Sequence, residues 1–451
     1  MSYISYPERS TSLEFLGFPP GYGPWTYRAI PEPLISSELA RLASAHVISS
    51  KTTMTGCVSL QPSPDPDNRS QDRFVVLDWD GWSFSAVFDG TCHGGEETVD
   101  YVVQELPLLI HTALVKALTD AGATPLAPST VSTLLQSSIQ AIDDALTDGV
   151  KCLFPDEATL AAYTDEQIKS TINGPTNPNN LAILRCMRGT TALISLVDPK
   201  KDNLWVASLG DCQAVLGAKN SSGTWDATIL SVNHSGKNPA EVARICKEHP
   251  NESECIKLHR VLGAIAVTRG ECFLIFYKLH KHIYTYSHNH SAIGDHIFKL
   301  PVPYTTRVFM NCAPGFSISS KLEHFLPNNK SPPYLSARAD IKHVALQPST
   351  ANTSFLILCS DGLIDLYEHT TARRATLEEI LTQCVHMLGE HMDRRDAKVG
   401  AEVDKENAAL VLLKHALMGG GVDNPDRLAQ MLTVEIPCRW MDDTTVLVQT
   451  L

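Results

Sequence analysis

Residues 73–90 read RFVVLDWDGWSFSAVFDG. Two β-rich runs flank Asp80-Gly81, a pair suited to a two-residue hairpin loop because a type I′ turn needs positive φ at both central positions. The second run alternates Trp82, Phe84, Ala86 and Phe88 against Ser83, Ser85, Val87 and Asp89. Counting outward from the loop pairs Trp79 with Trp82 and, at the far end, sets Asp72 opposite Asp89. Directly opposed Cβ atoms lie ~4.5–5.5 Å apart, and like charges there repel. A hairpin that places two carboxylates face to face calls for a cation between them.

Working outward, HGGEETVDYVVQELPLLIHTALVKAL (93–118) carries apolar residues at helical spacing, with Pro107 expected to kink or divide the helix. TTALISLVDPKKDNLWVASLGDCQAVLG (190–217) reads as three strands, turning near Lys200-Lys201 and at Gly210-Asp211. NPAEVARICKEHP (238–250) reads as a helix with Asn238 as N-cap, Pro239 at N1 and Glu241 at N3. TSFLILCSDGLIDLY (353–367) is a buried strand that ends in a Ser-Asp-Gly turn, and DDTTVLVQTL (442–451) is a closing strand.

Asp89, Asp361 and Asp442 thus each sit at the end or start of a strand, and Asp211 at a turn. Any one Asp-Gly is ordinary turn chemistry. Several carboxylates aimed at one sheet edge are what hard divalent cations take as ligands. Gly90 and Gly362, each following one of these aspartates, let the backbone approach closely, so that a carbonyl can join the ligand set.

The stretches SQDRFVVLD, FSAVFDGTCHGG, RGTTALISLV, LWVASLGDCQAVL, LSVNHSGKNPAEVARI, RVLGAIAVTR, AIGD, FLILCSDGLIDL and DDTTVLVQ together resemble the PPM-type (type 2C) metal-dependent protein serine/threonine phosphatases over about residues 54–451. GTWDATILSVNHSGKNPAEVARICKEHP and the carboxy-terminal segments are most similar to the pyruvate dehydrogenase phosphatase branch. The resemblance implies an α+β fold, a four-layer α-β-β-α sandwich of two mainly antiparallel sheets flanked by helices. It implies two Mg²⁺ or Mn²⁺ ions, with a weaker third position. By the same resemblance Asp89 bridges the ions, Gly90 ligates one through its carbonyl, and Asp361 and Asp442 hold the second. Asp211, with Asp361, matches the third. Asp72 orients the water, Arg69 binds the substrate phosphate, and His93 acts as the acid for the leaving oxygen. The implied reaction is hydrolysis of phosphoserine and phosphothreonine by water that two ions activate. The implied partner is a phosphorylated protein, in this branch one like the pyruvate dehydrogenase complex.

The sequence departs from the family pattern in places. The family writes Asp-Gly-His-Gly-Gly without interruption; here Thr91-Cys92 separate Asp89-Gly90 from His93. Either His93 folds back into place, or Thr91 stands there and the acid is missing. Gln71 replaces the family's Glu, and Asp442-Asp443 replaces its Asp-Asn, which returns a charge. The family's phosphate-binding arginine lies a few residues further upstream than Arg69. GECFLIFYKLHKHIYTYSHNHS (270–291) splits a motif that its deletion would restore, joining Thr268-Arg269 to Ala292-Ile293-Gly294-Asp295. Its four histidines, His280, His282, His288 and His290, read more readily as loop or strand residues than as a metal site. A retained intron is the preferred explanation of these 22 codons, and transcript reads spanning the junction test it.

Bulk properties set the outer limits. The 451 residues, 43% hydrophobic, suffice for a large core, and one domain over 51–451 after an extension at 1–50 is expected. The formal net charge of -13 makes a general nucleic-acid or anionic-membrane binder a poor reading. No apolar run stands out as a bilayer span, and a monomer is expected. The twelve cysteines form no C-x-x-C pair and read as reduced thiols. The amino-terminus carries neither a secretory pattern nor an arginine-rich transit pattern, which favours the cytoplasm, with mitochondria as the alternative. Two other functions compete: a catalytically impaired pseudophosphatase acting as a scaffold or regulatory subunit, and a two-metal hydrolase of small phosphomonoesters. A Walker loop and an H-E-x-x-H motif are both missing from the sequence.

Overall fold

The computed structural model describes residues 9–12, 25–50, 53–62, 69–91, 95–174, 177–264, 292–315, 325–346, 354–368, 375–396, 407–420, 424–435 and 440–451. The strands of its two main sheets are β1 His46–Ser49, β2 Met54–Leu60, β3 Arg73–Trp79, β4 Trp82–Phe88, β5 Ala192–Val197, β6 Asn203–Leu209, β7 Gln213–Lys219, β8 Trp225–Ile229, β9 Asp340–Ala345, β10 Ser354–Cys359 and β11 Thr444–Thr450. The main helices are α1 Leu34–Leu42, α2 Glu97–Ala121, α3 Pro128–Lys151, α4 Pro178–Met187, α5 Pro239–Glu248, α6 Asp361–Glu368, α7 Leu377–Asp396, α8 Ala408–Leu417 and α9 Pro425–Thr433.

One sheet has five strands in the order β9-β6-β5-β4-β3 and the other six in the order β8-β7-β10-β11-β2-β1. All pairings within them are antiparallel. The β3–β4 hairpin has the register that its sequence dictates, with Trp79 opposite Trp82 and Arg73 opposite Phe88. Asp80 (φ 52°) and Gly81 (φ 94°) both take positive φ, as the tight loop requires.

Strand alternation builds the layers. Phe84, Ala86 and Phe88 point at α2 and α3, where they pack with Val99, Val102, Ile110, Leu135 and Ile139. Val87, on the opposite face, joins Leu193, Val206, Ala214, Leu356, Leu358 and Leu447 between the sheets. Ser83 also lies on that inner face, and its Oγ accepts a hydrogen bond from Gln449 Nε2 at 2.7 Å, so its burial leaves the hydroxyl satisfied. On the far side, Phe355, Ile357, Val446 and Val448 pack against α6, α7 and α8 through Leu363, Leu381, Leu388 and Leu412. The result is the expected α-β-β-α sandwich. A fourth core joins the end of α3 and α4 to residues 297–312 and 325–335, around Phe154, Ile183, Phe298, Tyr304 and Tyr334.

Three details differ from the sequence reading. Pro107 does not divide α2, which runs unbroken for 25 residues; burial of Leu106, Ile110 and Leu114 on the sheet holds it together past the missing donor. The same helix is long and apolar enough, by length and composition, to cross a membrane, although no such run was expected. Its charged residues Glu97, Asp100 and Asp120 cluster at the ends and leave only Glu105 and Lys116 in the apolar stretch between. Finally, residues 25–50 are not a detached extension. Ile35, Leu39 and Ala43 are buried in the core, and β1 pairs with β2 at the edge of the six-stranded sheet. The helix at 239–248 has its expected cap, with Asn238 accepting from the Ala240 N–H and Pro239 in the first turn.

Candidate metal centre

The sandwich carries the aspartates to one edge. Asp89 follows β4 and, by alternation from Val87, belongs to the inter-sheet face. Its backbone is clamped: its N–H donates to Thr191 Oγ1 at 2.9 Å, and its carbonyl accepts from the Thr191 N–H at 2.8 Å and Thr190 Oγ1 at 3.0 Å. Asp211 sits between β6 and β7, where the chain crosses from one sheet to the other with Gly210 at φ 110°. Asp361 is the first residue of α6, directly after β10.

One carboxylate oxygen from each of Asp89, Asp211 and Asp361 lies within 4.8 Å of the others. Burial first, then the charges of Asp361, Asp72, Asp442 and Asp211, push the Asp89 carboxyl well above the usual carboxylate range. Asp72 is also driven well above that range, by burial first and then by Asp443, while the Ser360 hydroxyl opposes the shift. Ser360 Oγ donates to Asp72 Oδ2 at 2.7 Å and accepts from the Thr445 N–H at 2.9 Å, tying Asp72 to the start of β11. Asp72 Oδ1 is buried without a hydrogen-bond partner among the described residues.

A hard divalent cation fits this donor set. The converging ligands are all oxygens, and their mutual repulsion is what a dication relieves. The glycines leave the required space. A Cβ on Gly90 would come within 3.0 Å of the Gln71 carbonyl oxygen, and one on Gly362 within 2.0 Å of the Asp443 carbonyl oxygen.

The other sequence-predicted residues fall as follows. Asp442 starts the approach to β11, close enough to act on both Asp72 and Asp89; its Oδ1 accepts from the Asp443 N–H at 2.9 Å. Arg69 is exposed. The backbone of Gly90-Thr91 forms a short strand with Gly189-Thr190, which in turn pairs with Ile293-Gly294. Cys92 and His93 lie outside the described residues, as does the whole insertion 270–291. Asp443 does carry charge into this region, but it is bound to the Gln71 N–H (2.6 Å) and Gln61 Nε2 (2.8 Å), and acts on Asp72.

Sequence reasoning passed over several supports. Thr190 and Thr191 were visible as the Arg-Gly-Thr-Thr stretch, and Ser360 as the first letter of Ser-Asp-Gly. Arg73 was hidden in a strand; its guanidinium binds Asp100 at 2.8 Å, Glu96, and the carbonyls of Ser70 and Asp72. It fixes the backbone that leads into the hairpin. The described cysteines are all free.

An antiparallel double sheet between helices, with acidic side chains gathered at one rim, defines the class of fold. Residues 70–417 match the family profile described as Protein phosphatase 2C, and the chain belongs to that family. It is 29% identical over 318 residues to the mitochondrial pyruvate dehydrogenase (acetyl-transferring) phosphatase 1 of Bos taurus, with 65% of this chain and 54% of that protein covered. The chain therefore spans about half the length of that relative. It is 27% identical over 383 residues to a protein phosphatase 2C homolog of Schizosaccharomyces pombe, covering 82% of this chain and 74% of that one. A crystal structure of serine-threonine phosphatase 2C from Toxoplasma gondii overlays with a TM-score of 0.46 at 15% identity, covering 90% and 98% of the two chains.

Proposed function

We propose that this chain is a protein serine/threonine phosphatase that uses Mg²⁺ or Mn²⁺. The observation that carries the reading is the convergence of Asp89, Asp211 and Asp361 within 4.8 Å at one rim of the sandwich. In this reading Asp89 and the Gly90 carbonyl, with Asp361 and Asp442, hold two ions, and Asp211 with Asp361 serves a third. When bound, such ions supply water of lowered pKa and a clamp for phosphoryl oxygens. Asp72 Oδ1 is the buried acceptor that orients the attacking water, while Ser360 holds Oδ2. Thr190 and Thr191 keep the Asp89 backbone still, so the ligand is placed before substrate arrives. Arg69 binds the substrate phosphate and His93 protonates the departing serine or threonine oxygen. The phosphatase domain in this reading spans 51–451, and among the described residues Ile35, Leu39 and Ala43 of the preceding segment pack into its core.

Likeness to pyruvate dehydrogenase phosphatases supports a phosphoprotein substrate of that kind, and the word mitochondrial in their names favours that compartment over the cytoplasm. A carboxy-terminal fluorescent tag tests the compartment. The activity is tested with purified protein and Mn²⁺ on p-nitrophenyl phosphate and a phosphothreonine peptide, beside Asp89→Asn. Metal-dependent turnover of both substrates, lost in the variant, is expected. Hydrolysis of p-nitrophenyl phosphate alone, or equal rates with and without Asp89, contradicts the reading.

A further inference from the structure

The Asp211 turn lies between the ladders of the two sheets: β6 ends at Leu209 and β7 begins at Gln213. Its backbone is held by His234, from outside both strands, and by Gln213, the first residue of β7. His234, whose side chain is 2% exposed, grips Gly210 on both backbone groups. The His234 N–H donates to the Gly210 carbonyl at 2.9 Å, and the Gly210 N–H donates to His234 Nδ1 at 3.1 Å. Because Nδ1 accepts, the ring proton sits on Nε2, which donates to Asp340 Oδ2 at 2.7 Å. Asp340 in turn is paired with Ser208 across the five-stranded sheet, and Ser208 Oγ accepts from the Val232 N–H at 3.0 Å. On the other side of the turn, Gln213 Nε2 donates to the Asp211 carbonyl at 2.6 Å.

The imidazole thus joins the sheet edge at Asp340 to the Leu209–Gly210 peptide, while the His234 backbone N–H holds the Gly210–Asp211 peptide. Gly210 sits at φ 110°, a conformation open to glycine, whose backbone freedom leaves outside contacts to fix the turn. Small rotations there swing the Asp211 carboxylate relative to Asp89 and Asp361.

We propose that His234, anchored by Asp340, is a positioning residue that fixes the Asp211 carboxylate for a divalent cation shared with Asp89 and Asp361. This rests on reading the aspartate cluster as a metal centre. His234 acts through Gly210, so the chemistry predicts an effect on cation affinity before any effect on the chemical step. Groups that orient metal ligands in this way change affinity by about 10–100-fold when removed.

The test titrates Mn²⁺ alone into the full chain, by calorimetry and by the electron paramagnetic resonance of free Mn²⁺. The variants are His234→Leu, His234→Asn and Asp340→Ala. Asparagine places Oδ1 where Nδ1 stands and keeps the acceptor for the Gly210 N–H; leucine removes it. The expected result is that His234→Leu weakens one Mn²⁺ binding step by about tenfold or more while His234→Asn stays within about threefold of wild type. Peptide turnover in His234→Leu then recovers at saturating Mn²⁺, with the change in the metal requirement rather than in kcat. If His234→Leu does not fold, Asp340→Ala, whose altered side chain is 58% exposed, carries a smaller expectation, a weakening of the same step by about threefold, because the Gly210 N–H keeps its acceptor while the ring loses its anchor. Equal Mn²⁺ affinity in wild type and His234→Leu, or in wild type and Asp340→Ala, overturns the proposal. So does an equal loss in the leucine and asparagine variants, which marks a packing role. A wild type that takes up no Mn²⁺ removes the metal centre itself, a failure of the underlying reading that is distinct from these.

Discussion

Replacing Asp361 by asparagine should make the protein more stable in chelator and less stable in Mn²⁺. The ligand oxygens of Asp89, Asp211 and Asp361 lie within 4.8 Å of one another. At an effective dielectric of about 20, two unit charges at that separation repel by about 3.5 kcal/mol. Part of this repulsion is shared with burial in pushing the Asp89 carboxyl well above the usual carboxylate range, which lowers the cost of the cluster. Asp361 is also the first residue of α6, where a negative charge contributes about 0.3–1 kcal/mol that asparagine gives up. The net gain on substitution is therefore about 1–3 kcal/mol. Unfolding entropy of about 2.1 cal/mol/K per residue over this chain makes 1 kcal/mol worth about 1 °C, so the melting temperature in chelator should rise by about 1–3 °C. With Mn²⁺ at about a hundred times its Kd, wild type gains about 2.7 kcal/mol and the variant far less, so the order reverses. Thermal unfolding of both proteins in chelator and in a Mn²⁺ series reads this out. A variant that is less stable than wild type in chelator, or a wild type whose melting does not respond to Mn²⁺, refutes the reasoning.

Three further outcomes follow from the same contacts. Ser360→Ala removes the donor to Asp72 and strands the buried Thr445 N–H, so denaturant unfolding should show a loss of about 1–3 kcal/mol. Gly362→Ala pushes a methyl group into the Asp443 carbonyl, 2.0 Å from where its Cβ would stand; the β11 approach must shift, at about 1–3 kcal/mol, and Mn²⁺ affinity should fall in the same variant. His296 is buried between Thr147 Oγ1 and the Cys186 carbonyl, and burial pulls its pKa down to about 4. The unfolded chain protonates this histidine near 6.5 and the folded one only near 4, so its contribution is whole above pH 6.5 and is lost as pH falls through that window. His296→Gln should flatten the acid-side slope of stability between pH 6.5 and 4, measured by urea unfolding across that range.

The hairpin was legible because a two-residue loop leaves one register open, and that register is observed from Trp79–Trp82 to Arg73–Phe88. The layers followed from period-two alternation in strands buried on both faces, such as β4, where Phe84 and Val87 serve different cores. Other features depend on partners remote in sequence. Residues 1–50 read as an extension rich in Pro, Ser and Tyr, yet Ile35 and Leu39 find their core across the fold, against residues beyond 350. Asp443 read as an added charge for the cluster, but its binding to Gln61 and the Gln71 N–H comes from residues 382 and 372 positions away. The helix-breaking tendency of Pro107 lost to tertiary burial, a term that local propensity does not contain. The Gly210-Asp211 turn was correctly placed in the chain, but its passage between sheets, and hence the need for His234, is a property of topology.

Crystals soaked in Mn²⁺ and measured at the manganese absorption edge test the central claim most directly. Anomalous peaks about 2.1 Å from carboxylate oxygens of Asp89, Asp361 and Asp442 are expected, and they should vanish in crystals of Asp89→Asn. A fully loaded crystal with no peak at this rim, or with manganese bound only elsewhere, contradicts a cation centre built by these aspartates.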